Sequence, residues 1–169
     1  MKRRSKRVRK VQPFSFVSFG GWIVLCELVG MAGSIFTIPQ ISIWYVTLAK
    51  PSFSPPNWVF GPVWVTLYAL MGIAAYQVSR LGWHLPKVKV SIVLFAAQLL
   101  LNFLWSFIFF GSHNIPGGFI DIAALWTLIV LLVVWFERLD KTASYLMIPY
   151  LVWVSFAMVL NYYLWLLNA

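Results

Sequence analysis

At 169 residues, 62% apolar, 10% charged and with a mean hydropathy of +0.84, the chain lies far from a soluble domain, where roughly a quarter of residues are charged. A helical crossing of the hydrocarbon core takes about 20 residues, so one domain of five crossings uses most of the chain and leaves no stretch for a soluble catalytic domain. The net charge of +9 does not signify nucleic-acid binding, because seven of the thirteen basic residues lie within the first ten positions, directly before an apolar span. Such a cluster sets topology or grips anionic lipid headgroups.

In chain order, a basic extension over 1–13 precedes apolar stretches at 14–38, 58–79, 90–110, 118–136 and 143–167. Each is long enough to span as a helix, and none alternates with the period of two that a barrel strand would show. The predicted fold is therefore an all-α membrane bundle of five transmembrane helices. The first apolar run is too long for the h-region of a signal peptide and reads as a retained helix. The basic, acid-free start also has the character of a transit peptide, but it is very short for one. Placing 1–13, Arg80–Lys89 and Glu137–Lys141 on one side gathers seven, three and two basic residues there, and Lys50 alone remains opposite. This asymmetry follows the positive-inside rule and predicts a cytoplasmic N-terminus in a bacterial membrane.

The first span carries Glu27, an intramembrane carboxyl. Such a group is a functional candidate, and two readings stay open: a hydrogen-bonded or pore-facing structural group, or a handler of ligand or protons. Cys26, Gly30 and Ser34 form a small-residue face suited to close helix contact. Cys26 is the only cysteine, and no Cys/His cluster has metal-ligand spacing.

The longest connection is predicted over 39–57, with Trp44, Tyr45, Lys50, Phe53 and the prolines Pro51, Pro55 and Pro56. Proline stiffens it, and Pro56 is placed to open the second helix. The loop reads equally as an interfacial aromatic belt or as a lid over a cavity mouth. Further on, Trp64 and Tyr68 stand one turn apart on the second span. Gln98, Asn102 and Ser106 recur at intervals of four on the third, flanked by Trp105 and Phe109. Trp153, Ala157, Asn161 and Trp165 do so on the fifth. These stripes either glue helices together or line one chamber for a flat, mostly apolar ligand. Asp121, after Pro116-Gly117-Gly118, reads as a helix-start cap or a packing group.

No nucleophile, base and orienting group come together in the sequence. His84 and His113 fall in loops on opposite sides and neither is at cavity depth, so any tetrapyrrole is expected to be held by stacking and shape rather than by axial ligation.

The run Trp44-Tyr45-x-x-Leu48-x-Lys50-Pro51-Ser52-x-x-Pro55-Pro56-x-Trp58-Val59-x-Gly61-Pro62-Val63-Trp64-x-x-Leu67-Tyr68-x-x-Met71-Gly72 resembles the signature of the translocator protein / tryptophan-rich sensory protein family, also known as the peripheral-type benzodiazepine receptor family. Gln98-Leu99-x-Leu101-Asn102-x-x-Trp105-x-x-x-Phe109-Phe110-Gly111 resembles its third helix, and Pro149-Tyr150-Leu151-x-Trp153-x-x-Phe156-Ala157-x-x-Leu160-Asn161-Tyr162 its fifth. The likeness runs from residue 40 to the end; Glu27 lies outside it. It implies a ligand cavity lined by Tyr45, Trp64, Asn102, Trp153, Ala157 and Asn161. It further implies binding of porphyrins and other hydrophobic molecules, a role in tetrapyrrole or lipid handling and stress sensing, homodimers, and no obligatory cofactor. Light-dependent porphyrin breakdown, with Trp44, Trp64 and Trp153 taking part, is the alternative activity, and a structural module without a ligand is the third reading. Leu160-Asn161-Tyr162 is not followed by a basic residue up to Ala169, so the proposed cholesterol pattern is incomplete and a sterol is a poor guess for the ligand.

Overall fold

A computed structural model describes residues 12–169; the basic cluster between Lys2 and Lys10 lies outside them. Among the described residues run five long α-helices: α1 (Phe16–Ile43), α2 (Phe60–Ser79), α3 (Pro86–Ser106), α4 (Ile115–Glu137) and α5 (Lys141–Leu167). All five are long and apolar enough to span a membrane, and among the described residues there is no strand. α1 packs on α2 and α3, α2 on α5, α5 on α4 and α4 on α3, closing a ring in the order α1–α2–α5–α4–α3.

The helix ends differ from the hydropathy boundaries, and each difference has a local cause. α1 runs five residues beyond the expected end, through Pro39, and stops where the Trp44 N–H donates to the Gln40 carbonyl. Proline removes one backbone donor but leaves the neighbouring bonds intact, so the connection begins at Trp44 rather than at residue 39. Pro56 does not itself start α2: a 3₁₀ turn, Asn57–Val59, follows it before the α-helix begins at Phe60. α3 opens early, with Pro86 in its first turn, which brings Lys87 and Lys89 into the helix. α4 begins at Ile115 because the Asn114 side chain accepts from the Gly117 N–H at 2.8 Å. Asp121 is therefore no cap. It lies inside α4, buried, with Oδ2 lacking a hydrogen-bond partner among the described residues. Asp140 caps α5, accepting from the Ala143 N–H at 2.9 Å.

The end of α3 holds a feature with no sequence signal, a single π turn over Phe107–Gly111. The Ser112 N–H donates to the Phe107 carbonyl at 2.8 Å, five residues back. A widened turn of this kind changes which side chains share a face, and here the consecutive Phe109 and Phe110 are both buried.

α1 lies directly against the α2 backbone at Gly72, where an added Cβ would sit 2.6 Å from the Ile23 Cα and 2.9 Å from the Trp22 carbonyl oxygen. Those are backbone atoms, so the contact cannot be relieved by a rotamer change. At Gly30, one helical turn beyond Cys26, an added Cβ would collide with the Tyr68 ring. Gly72→Ala is expected to destabilise the protein by about 1–3 kcal/mol through overpacking, seen as a lower midpoint of thermal unfolding in detergent. Gly20→Ala, where a Cβ meets nothing within 4 Å, is expected to hold or raise that midpoint.

Candidate ligand cavity

A buried polar chain joins three helices at the middle of the bundle. The Tyr68 hydroxyl on α2 donates to Asn102 Oδ1 on α3 through a short hydrogen bond. Asn102 Nδ2 donates to the Tyr150 hydroxyl on α5 at 2.9 Å, and that hydroxyl donates onward to Gln98 Oε1 at 2.9 Å. Gln98 Nε2 ends the chain against the Met71 sulfur at 3.8 Å. All four residues are buried. In a low-dielectric surround an unpaired amide or hydroxyl is costly; here each hydroxyl and each amide oxygen has a partner.

On the side of this chain that carries the 44–59 connection, the helices enclose a cavity of about 440 Å³. This is within the range of small-molecule sites. α2 contributes Trp64 and Tyr68, α3 contributes Asn102, Trp105 and Ser106, and α5 contributes Trp153, Ala157, Leu160, Asn161 and Leu164. Trp64 and Tyr68 lie with ring centroids 5.6 Å apart, and Trp105 stacks on Phe109 at 5.1 Å. The Trp105 indole N–H donates to Asn161 Oδ1 at 3.2 Å, while Asn161 Nδ2 donates to the Ala157 carbonyl at 2.9 Å. Asn102 and Asn161 on the wall are thus held in fixed orientations by the bundle itself.

The expected stripes enter the wall only in part, for a geometric reason. A step of four residues overshoots a turn of 3.6 by about 40°, so a long i+4 series drifts off its face. Asn102 and Ser106 line the cavity, but Gln98 is fully buried behind it. On α5 the wall continues through Leu164, and Trp165 turns away to pack on Phe119 at 5.6 Å.

The connecting loop closes the end of the cavity through Tyr45, Asn57 and Trp58. Burial pushes the Tyr45 phenol above its ordinary value, so it stays protonated and able to donate. Of the expected lid residues, Trp44, Lys50, Pro51, Pro55 and Pro56 do not line the cavity. Trp44 stacks on His113 at 4.4 Å, and Lys50 Nζ sits 4.6 Å over the Tyr45 ring. The loop is tied to the end of α5: the Ala49 N–H donates to Asn168 Oδ1 and Asn168 Nδ2 donates back to the Ala49 carbonyl, each at 2.9 Å. His84 and His113 lie in the α2–α3 and α3–α4 connections, at opposite ends. Among the described residues no group of three or more His, Cys, Asp or Glu could hold a metal ion.

α1 supplies a fourth wall that the stripes on α2, α3 and α5 did not announce. Glu27, Gly30, Ser34, Thr37 and Ile41 recur at helical spacing and all line the cavity. The neighbouring wall residues Met31, Ile38, Trp58 and Val65 are 63%, 66%, 75% and 59% exposed. Above the Gly30–Tyr68 contact, therefore, the cavity opens between α1 and α2 at hydrocarbon depth.

Tyr150→Phe removes the hydroxyl that links Asn102 to Gln98 and orphans one amide N–H and one amide oxygen. Leaving a buried group unsatisfied costs about 1–3 kcal/mol, so a marked fall in the thermal midpoint is expected. Tyr163→Phe, on a half-exposed ring at the far end of α5, is expected to change it little.

Comparison with known proteins agrees with this architecture. The TspO/MBR family profile matches residues 22–166. The "Tryptophan-rich protein TspO" of Chlorobaculum tepidum is 49% identical over 146 residues, covering 86% of this chain and 92% of that protein. "Protein CrtK" of Rhodobacter capsulatus is 37% identical over 154 residues, covering 91% and 94%. The human "Translocator protein" is 36% identical over 146 residues, covering 86% of each. The chain is an integral, multi-pass membrane protein and belongs to the TspO/MBR family.

Proposed function

We propose that the protein is a membrane receptor or carrier for flat, hydrophobic small molecules of the porphyrin type, held in the cavity between α1, α2, α3 and α5. The observation that carries this reading is the cavity's construction: about 440 Å³, walled by Trp58, Trp64, Trp105 and Trp153 with a few oriented amides. Aromatic walls stack on a planar ring system, while sparse polar groups fix its orientation. The opening between α1 and α2 suits a ligand that partitions into the bilayer before it binds. The end bearing Arg80, Lys87 and Arg138 is the one the positive-inside rule assigns to the cytoplasm, so the loop-capped cavity faces the other side. A second reading, light-driven breakdown of the bound porphyrin, is favoured by the four indoles on the wall.

Titration of the purified protein with protoporphyrin is expected to quench tryptophan fluorescence saturably. Ala157→Phe, which fills the wall beside Trp153, is expected to weaken binding by roughly tenfold or more, equivalent to about 1.4 kcal/mol, with helical content and thermal midpoint retained. Absence of saturable quenching, or quenching indifferent to Ala157→Phe, would contradict the proposal. Protein-dependent loss of porphyrin absorbance that requires light and turns over excess porphyrin would establish the second reading.

A further inference from the structure

Six polar side chains on the cavity wall are committed to partners within the bundle, whereas the buried Trp153 indole N–H has none among the described residues. Tyr68 donates to Asn102, Asn102 to Tyr150, and Trp105 to Asn161. The hydroxyls on α1 turn back onto their own helix, Ser34 to the Met31 carbonyl at 2.7 Å and Thr37 to the Gly33 carbonyl at 3.4 Å. Glu27 differs. It lines the cavity and is half-buried, and no hydrogen bond or ion pair engages its carboxyl among the described residues. Among those residues it is also the only acidic one on the wall, and no Lys, Arg or His joins it there.

Its position gives the site a direction. Glu27 is 16 residues from the end of α1 at Ile43, or about 24 Å along the helix axis at 1.5 Å per residue. It therefore sits at the inner end of the cavity, in the region where Gly30 meets Tyr68. Lys50 lies near the opposite, loop-covered end, held over the Tyr45 ring. A carboxyl at membrane depth is expensive unless paired or hydrogen-bonded, and the described bundle supplies it with no donor.

The geometry points to Glu27 as a specificity-determining ligand contact: the lone unpartnered carboxyl at the inner end of an aromatic cavity selects molecules with a flat apolar body and a basic nitrogen at one end. This inference rests on the cavity being a ligand site and adds the polarity of its occupant. A ligand amine entering between α1 and α2 completes the missing pair in a low-dielectric surround, where a charge-assisted hydrogen bond exceeds a neutral one. An acidic ligand, a porphyrin with its propionates included, binds turned the other way, with its carboxylates toward the loop end.

The test uses three probes of one shape, anthracenylmethylamine, methylanthracene and anthracenecarboxylate, with energy transfer from tryptophan to anthracene as the readout in detergent. The wild-type protein is expected to bind the amine roughly tenfold more tightly than methylanthracene, and the carboxylate more weakly than either. Glu27→Gln is expected to abolish the amine preference while leaving methylanthracene affinity and thermal midpoint unchanged. Glu137→Gln, at the exposed end of α4, is expected to keep the preference. Equal wild-type affinity for amine and methyl probes, or a preference that survives Glu27→Gln, overturns the inference while leaving the cavity reading intact. Failure of methylanthracene and protoporphyrin alike to bind overturns both.

Discussion

The hydrogen-bonded chain Tyr68–Asn102–Tyr150–Gln98 is the constraint on which the rest of the bundle depends. In hydrocarbon there is no hydrophobic drive between helices, so association rests on packing and on polar groups that must find each other. These four side chains come from α2, α3 and α5 and satisfy one another in series. They fix the distances between three helices at one level. Beyond that level, toward the 44–59 loop, the helices need not touch. The cavity is the space left where the chain has set the spacing and no side chain is large enough to fill it, as at Ala157.

The other wall is set by backbone contact rather than by polar groups. Gly72 lets α1 lie against α2 at Ile23, and Gly30 admits the Tyr68 ring one level further along. Past that contact the two helices leave a gap, and their cavity residues stay more than half exposed at Met31, Ile38 and Val65. Polar chain on one side and glycine contact on the other thus produce a chamber that is rigid at its inner end and open toward the lipid. At its outer end the loop is pinned by the reciprocal Ala49–Asn168 bonds, so Tyr45 is held against Phe110 at 5.8 Å between ring centroids.

Much of this architecture is legible in the residues alone. Hydropathy marks five spans because each helix must satisfy its own backbone in lipid. Helical spacing and the family's motif mark the aromatic, amide and small residues Trp64, Tyr68, Asn102, Trp105, Trp153, Ala157 and Asn161, and all seven line the cavity. What escapes has physical reasons. Hydropathy does not place the end of α1, because Pro39 costs one hydrogen bond without stopping a helix in an apolar surround. A strict i+4 series assigns Gln98 and Trp165 to the wall, yet such a series drifts around the helix. The π turn at Phe107–Gly111 depends on packing at the end of α3 and leaves no local signature. The part of α1 in the wall is hidden because Gly30 and Ser34 read as small packing residues; only Glu27 stands out there.

The porphyrin-type ligand we propose occupies the chamber above the Tyr68–Asn102 level and no other part of the protein. Fluorine NMR of protein labelled with fluorotryptophan tests this most directly, since the ten tryptophans report on separate parts of the fold. On adding protoporphyrin, the resonances of Trp58, Trp64, Trp105 and Trp153 are predicted to shift saturably together, while those of Trp83, Trp126 and Trp135, which lie away from the cavity wall, stay in place. Shifts confined to the latter three, or spread evenly over all ten, would contradict the account.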